Sequence, residues 1–176
     1  MDADIARYVA ALPRSSLDAI EVSGNAHGGA GWRSHSTLEF PSFDLCRPAD
    51  PLPQVDVVFC EQVLEHVPEP CRAVRTLYNL LRPGGKLIVS TPFMIRIHPE
   101  PTDYWRFTPD GLRLILEQGG LQVGEVKQWG NLGSLLVNTF FWFPFVPGLC
   151  SLANRERLPL VVWAVAERAQ EERPLA

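Results

Sequence analysis

The chain reads as an α/β domain built on a mostly parallel sheet, and three observations point there. Val55-Asp-Val-Val-Phe-Cys60 and Lys86-Leu-Ile-Val-Ser90 are short runs of β-branched and aliphatic residues, the pattern of strands covered on both faces. Between them Val74, Leu77, Tyr78 and Leu81 recur at spacings of three and four, so that segment is a helix with one face on the sheet. Strand, helix, Arg82-Pro-Gly-Gly85 turn and strand make a βαβ unit, which requires parallel strands and a right-handed crossover.

The other elements follow in order. A short helix is expected over Ala3 to Leu12, stopped by Pro13. Leu17-Asp-Ala-Ile-Glu-Val22 is a strand, followed by a glycine-rich stretch that reaches Gly31. Ser36-Thr-Leu-Glu-Phe40 is a further short strand before Pro41, and Asp50-Pro-Leu-Pro53 is a loop whose prolines oppose both helix and central strand. The central helix opens around Pro68-Glu-Pro70 and runs to Leu81, with Arg72, Arg75 and Asn79 facing away from the sheet. Pro83 stops it by removing a backbone donor, and the glycines supply left-handed geometry. Thr108-Pro-Asp-Gly111 opens another helix with a capping hydroxyl, a proline at the first position and an acid in the first turn; Gly119-Gly120 closes it. Leu121 to Trp129 reads as a strand, the uncharged segment after it as a helix, and Leu160 to Ala166 as a last strand. One domain covers residues 1–176.

Composition narrows the function classes. With a formal charge of -4 and no Lys/Arg run, the chain lacks the basic face that a nucleic-acid partner normally requires. Cys46, Cys60, Cys71 and Cys150 are widely spaced with no C-x-x-C pair, which suits reduced thiols in a cytoplasmic protein. No His/Cys/carboxylate spacing indicates a metal site. Met1-Asp-Ala-Asp4 does not resemble a signal peptide. From Gln128 to Asn154 no residue is charged, and Leu132 to Cys150 is rich in aromatics. A membrane span needs ~20 mainly apolar residues. Asn131, Ser134, Asn138 and Thr139, with two prolines near the end, favour instead a buried or subunit-facing helix, hence a homo-oligomer contact through Leu132–Cys150 and no membrane contact.

Two segments carry a family resemblance. Val55-Asp-Val-Val-Phe-Cys-Glu-Gln-Val-Leu-Glu-His-Val67 and Leu80-Leu-Arg-Pro-Gly-Gly-Lys-Leu-Ile-Val-Ser-Thr-Pro92 together resemble the second half of a class I S-adenosylmethionine-dependent methyltransferase, of the small type 11-like kind. The resemblance spans Leu17 to Ala166 and is strongest from Val55 to Gly120. It implies a Rossmann-like sheet, mostly parallel with one antiparallel strand, here the last one. It implies S-adenosylmethionine as cofactor. Glu21 falls where the family places the acid of its first strand, with Ser23 and Gly24 opening the glycine turn against which the cofactor's amino-acid end packs. Glu39 stands where the family has its ribose acid; Asp44, with Leu45 beside it, stands where the family has the adenine acid. Cys60 and Gln62, at the end of the next strand, are placed toward the cofactor's methionine portion, with Glu61 between them. The family places Glu65-His66 just beyond, and His66 is carried over as a substrate contact. This chain departs from the pattern: E-V-S-G-N-A-H-G-G replaces acid-x-G-x-G-x-G, and Glu39 and Asp44 leave no room for a helix and strand between them. Asn25 to Ser34 is also too glycine-rich for a good helix. The sheet is therefore expected to be reduced by at least one α/β unit near the N-terminus. His27 and His35, in that glycine-rich region, receive no role.

The loop after Ser90-Thr-Pro92 carries the remaining chemistry. His98-Pro-Glu-Pro-Thr-Asp-Tyr-Trp-Arg-Phe-Thr108 follows the carboxyl end of a strand, where ligands sit in open α/β sheets. It is similar to the H-x-x-P-x-D-Y-x-R-x-T signature of small methyltransferases linked to sugar or natural-product pathways. Methyl transfer needs an aligned nucleophile, exclusion of water and in some cases a base for the acceptor's proton. His98, with an unperturbed pKa of ~6.5, is the expected base. Tyr104 and Trp105 are expected to wall a small-molecule acceptor, and Arg106 to clamp a carboxylate or phosphate. Asp103 is expected to contact the substrate with them; the competing assignment pairs Asp103 with Arg106 to pin the loop and makes Trp105 core. The expected function is O- or N-methyl transfer to a small-molecule or sugar-linked acceptor. The rival readings are a catalytically reduced partner subunit on this fold, and a non-methylating enzyme using the same crevice.

Overall fold

The computed structural model describes residues 2–99, 101–141 and 153–170. Its elements in chain order are α1 (Asp2–Ala10), β1 (Asp18–Val22), β2 (Ser34–Leu38), β3 (Val55–Glu61), α2 (Pro70–Leu80), β4 (Leu81–Pro92), α3 (Pro109–Gln118), β5 (Gln122–Trp129), α4 (Leu132–Phe141) and β6 (Val161–Glu167). Six strands form one sheet in the order β2-β1-β3-β4-β6-β5. β2, β1, β3 and β4 are mutually parallel, and β6 runs antiparallel to both β4 and β5. The last strand is thus the antiparallel one, as the resemblance implied.

Alternation along the strands builds two cores. Val22, Val58, Cys60 and Val89 face one side, where α2 and α3 add Val74, Leu77 and Leu116. Ala19, Val57, Phe59, Ile88 and Trp163 face the other, where α1 adds Ile5 and Val9. Both faces of β3 are covered, which is why its sequence is apolar almost without interruption. Gly84 ends the α2 turn at φ 80, a left-handed backbone that suits glycine.

The N-terminal half is shortened as expected. Between β1 and β2 there is only a single 3-10 turn at Gly28–Ala30. Residues 39–54 contain no strand, so β2 is the edge of the sheet and one α/β unit is missing. Several boundaries shift by a residue or two: β2 starts earlier, at Ser34, and ends before the cis Phe40–Pro41 bond. Leu81, expected at the end of α2, belongs instead to β4 and pairs with Val55. At the amino end of the sheet Asp18 and Asp56 take the guanidiniums of Arg33 and Arg82, with Arg82 at 2.9 Å and 2.8 Å from the two acids. Hydrogen bonds from Arg33 and Ser34 hold the Asp18 carboxyl well below its usual range. This cluster ties four strand starts together and lies at the end opposite the crevice.

The uncharged segment begins as the expected helix, α4, but residues 142–152, including Cys150, lie outside the described residues. Among those described, no helix is long and apolar enough to cross a membrane. Cys46, Cys60 and Cys71 are free thiols.

Candidate active site

β1 and β3 are neighbours whose connections leave in opposite directions, so a crevice opens between their carboxyl ends. A cavity of about 670 Å³ lies there, within the range of small-molecule sites. Val22 and Ser23 follow β1 into it, and Gln62 and Val63 follow β3. Phe43, Asp44 and Leu45 form one wall; His66, Thr102 and Tyr104 form the other. Ser23 and Gln62 both have left-handed backbones, at φ 56 and 55. Non-glycine residues rarely adopt that conformation, and it persists only where the surroundings enforce it. Here the Ser23 amide donates to the Leu38 carbonyl at 3.0 Å, and the Gln62 amide to that of Ser90 at 2.9 Å. The Gln62 side-chain amide also donates to the Ser90 hydroxyl at 3.0 Å. A left-handed residue therefore carries each of the two strands out of the sheet at the cavity floor.

The acids assigned to the cofactor divide into two kinds. Asp44 and Leu45 line the cavity, and Asp44 orders its own loop by accepting the Cys46 amide at 2.7 Å. Glu21 and Glu39 instead shape the glycine turn. Glu21 is buried and accepts the amides of Ala26 and His27 at 2.8 Å and 3.0 Å. Glu39, one residue past β2, accepts the Gly24 amide at 3.1 Å. A Cβ on Gly24 would stand 2.9 Å from a Glu21 carboxylate oxygen, so a larger residue there would displace that carboxylate from the amides it accepts. Cys60 corrects the sequence assignment: it is fully buried within the sheet on the α2 face, and its thiol is pushed far up by desolvation. It reaches no cavity wall.

His27 and His35, given no role from sequence, fold onto this end of the sheet. The His27 ring stacks on Phe59 at 3.9 Å, and its Nε2 lies 2.7 Å from Glu61. His35 Nε2 lies 3.4 Å from Glu21. Burial opposes a charge on His27, but the Glu61 hydrogen bond and the fields of Glu61 and Glu21 outweigh it and raise its pKa. The ring and Trp32 both pack on Phe59, the second edge-on at 5.7 Å. Only the pairing of glycine-rich sequence with isolated histidines hinted at this, and it does not distinguish packing from solvent exposure.

The opposite wall is built by residues 65–106. Asp103 and Arg106 form a two-point ion pair, and the guanidinium also meets the carbonyls of Trp105 at 2.8 Å and Arg96 at 3.3 Å. Arg106 is thereby committed to the loop, which corrects its assignment as a substrate clamp. The same pair, with the His98 amide, holds the Asp103 carboxyl down at about 2 against its burial. Trp105 does not line the cavity; its indole N–H donates to the Val67 carbonyl at 2.8 Å while the ring is partly exposed. Tyr104 does line it, anchored by its amide on the Glu65 carbonyl at 2.7 Å. His98, the expected base, sits behind the wall; its ring meets that of His66 edge-on at 4.9 Å. His66 is the histidine on the cavity, with Nδ1 donating to the Thr102 carbonyl at 2.7 Å. Glu65 lies beneath both rings, fully buried, and desolvation pushes its pKa up to about 7. Donor atoms of Glu65, His66 and His98 all lie within 4.8 Å of one another, a cluster that the separation of residues 65 and 98 concealed.

Comparison with known proteins places this geometry. Residues 3–126 match the family described as a methyltransferase domain. A ubiquinone biosynthesis O-methyltransferase of Marinobacter nauticus is 30% identical over 100 residues, covering 47% of this chain and 42% of the relative. The match thus spans about two fifths of that relative's length. Among solved structures, an S-adenosylmethionine-dependent methyltransferase of Mesorhizobium loti superposes with a TM-score of 0.63 at 15% identity, covering 95% of this chain and 97% of the other. The 1,6-didemethyltoxoflavin-N1-methyltransferase of Burkholderia thailandensis, with 1,6-didemethyltoxoflavin and S-adenosylhomocysteine bound, superposes with a TM-score of 0.60 at 12% identity. That superposition covers 93% of this chain and 78% of the other. At these identities the structures establish a shared fold.

Proposed function

The chain belongs to the methyltransferase-domain family, and on that premise we propose that it transfers a methyl group from S-adenosylmethionine to an oxygen or nitrogen of a small-molecule or sugar-linked acceptor. The observation that carries this is the cavity at the β1/β3 carboxyl ends, with turn residues Ser23 and Gln62 on its floor and unlike walls on its two sides. The names of the relatives favour oxygen as the acceptor atom.

The residues present fit the cofactor: the exposed turn at Ser23 offers backbone at the cavity floor, and Asp44 offers a carboxylate on its wall. Ser23, Gly24 and Gln62 would hold its amino-acid end, and Asp44 and Glu39 its hydroxyl-bearing end. When bound, S-adenosylmethionine supplies an electrophilic methyl group. Leu45 and Phe43 exclude water from the cofactor side, and Tyr104 does so from the other. The acceptor's hydroxyl or amine rests against His66, the member of the Glu65–His66–His98 cluster that lines the cavity, and the imidazole takes up the proton it must lose. Trp105 and the Asp103–Arg106 pair position the loop that carries Tyr104.

S-adenosylhomocysteine titrated into the protein tests the reading. Binding stabilises the native state by about 2.7 kcal/mol at a hundredfold excess over its dissociation constant, visible as a rise in Tm. Asp44→Ala is expected to weaken it by roughly tenfold to a hundredfold, the weight of hydrogen bonds to a charged group. Glu39→Ala, which releases the Gly24 amide, weakens it by less. Folded protein showing no shift at millimolar concentration overturns the proposal and favours the reduced partner subunit. We also propose self-association through α4, on which Leu132, Leu136 and Phe140 stand exposed at four-residue spacing.

A further inference from the structure

Glu65 has no exposed side-chain surface, and neither of its carboxylate oxygens meets a hydrogen-bond partner among the described residues. Burying a carboxylate in that way is strongly unfavourable unless something positive answers it. Two imidazoles face the same oxygen: Nε2 of His66 lies 3.7 Å from Oε1, and Nε2 of His98 lies 3.8 Å from it. Both separations are too long for hydrogen bonds. Each ring is held from behind at its other nitrogen, His66 by the Thr102 carbonyl at 2.7 Å and His98 beside the Asp103 carboxylate at 3.2 Å. A carbonyl and a carboxylate only accept, so each Nδ1 is a donor, and in the neutral form of each imidazole Nε2 is the nitrogen that can ligate. Two imidazole nitrogens and a carboxylate oxygen thus converge on one point. Separations of 3.7 and 3.8 Å are what a pair of metal–ligand bonds of about 2.1 Å spans at an open angle.

We propose that Glu65, His66 and His98 bind a divalent transition-metal cation, with its open coordination positions directed to the cavity. Two imidazoles and one carboxylate suit Zn²⁺, Mn²⁺ or Fe²⁺, whereas Mg²⁺ and Ca²⁺ take oxygen ligands. Thr102 and Asp103 supply the outer contacts that fix ring tautomer and orientation in metal sites. The Asp103 charge is answered by Arg106, which leaves the Glu65 charge for the cation. His66 lines the cavity and gives the ion its entry path. The inference deepens the proposed function and rests on it for its chemical consequence: a hydroxyl bound at the open position has its pKa lowered and releases its proton to solvent, leaving the oxygen as nucleophile.

Co²⁺ titrated into metal-stripped protein is the direct test, read by visible d–d absorption and bound-metal stoichiometry. One equivalent is expected, displaced by Zn²⁺, with a rise in Tm. Glu65→Gln, His66→Gln and His98→Gln should each weaken Co²⁺ binding at least tenfold and change or abolish the band. Asp103→Asn leaves the three ligands in place and should weaken binding tenfold to a hundredfold. Circular dichroism identifies any variant that fails to fold, and the two histidine variants, being partly exposed, carry the test if Glu65→Gln does not fold. No stoichiometric binding, or a band and affinity that survive in every folded ligand variant, overturns the site. S-adenosylhomocysteine binding measured without metal separates the two readings. Co²⁺ bound at these residues without S-adenosylhomocysteine binding refutes the methyltransferase proposal alone, and the converse refutes the metal site alone.

Discussion

His27 is where a single residue most directly links sequence to folding. Its ring stacks on Phe59 and meets the Glu61 carboxylate at Nε2, and its pKa is raised in the folded chain. A group whose folded pKa lies above its unfolded value stabilises fully below the unfolded pKa, ~6.5 for histidine, and loses that contribution as pH rises through the folded value. Urea denaturation should therefore show stability falling from about pH 6.5 upward, a slope that His27→Gln removes. An identical slope in the variant would assign it to another group. The residue scale also shows why some roles do not follow from the sequence. Arg106 and Cys60 have the right chemistry at the right distance along the chain, yet one is tied by Asp103 and the other is sealed in the sheet. Linear spacing reports which strand end a residue is near, not which way its side chain turns or what already occupies it.

Helices and strands were legible wherever punctuation and periodicity agreed. Thr108 caps α3, its hydroxyl accepting the Gly111 amide at 3.0 Å, and Thr108→Ala should cost about 1 kcal/mol in chemical denaturation. Gly130 is an element-scale feature of the opposite kind, with no helix or strand motif to mark it. It turns the chain between β5 and α4 where residues 154–160 cross behind it. A Cβ there would stand 2.1 Å from the Leu158 carbonyl oxygen and 2.5 Å from the Leu160 nitrogen. Both neighbours are backbone, and the Leu160 amide is already bonded to the Trp129 carbonyl at 2.8 Å, so neither can yield cheaply. Gly130→Ala should destabilise by about 3 kcal/mol, the upper end of ordinary overpacking. A loss below about 0.5 kcal/mol, the level of a neutral surface change, would mean the crossing is looser than described.

At the scale of the whole molecule, α4 has an unusual division of faces. Asn131, Ser134 and Asn138 are buried, while Leu132, Leu136 and Phe140 are 56%, 48% and 70% exposed. If that stripe joins copies of the chain, sedimentation should show a concentration-dependent dimer, and Leu136→Glu should shift it to monomer without lowering S-adenosylhomocysteine affinity. A monomer at all concentrations would remove the self-association proposal. The shortened cofactor half is a property of the whole sheet as well. With β2 at the edge and residues 39–54 as loop, Asp44 reaches the cavity from a connection rather than from a strand end.

By itself the sequence determined the parallel core, the antiparallel last strand, the missing α/β unit and the strand ends at which a ligand would sit. These follow from local signals: apolar runs, caps, turn residues and motif spacing, each of which acts over a few neighbours. Only the tertiary structure decided that the left-handed turns at Ser23 and Gln62 meet at one cavity. It also stacked His27 on Phe59 beside Glu61, and brought His98 from far along the chain to stand with His66 over Glu65. Those juxtapositions depend on how the loops after β1, β3 and β4 pack against one another. Packing is set by long-range burial and charge compensation, which no window along the chain contains.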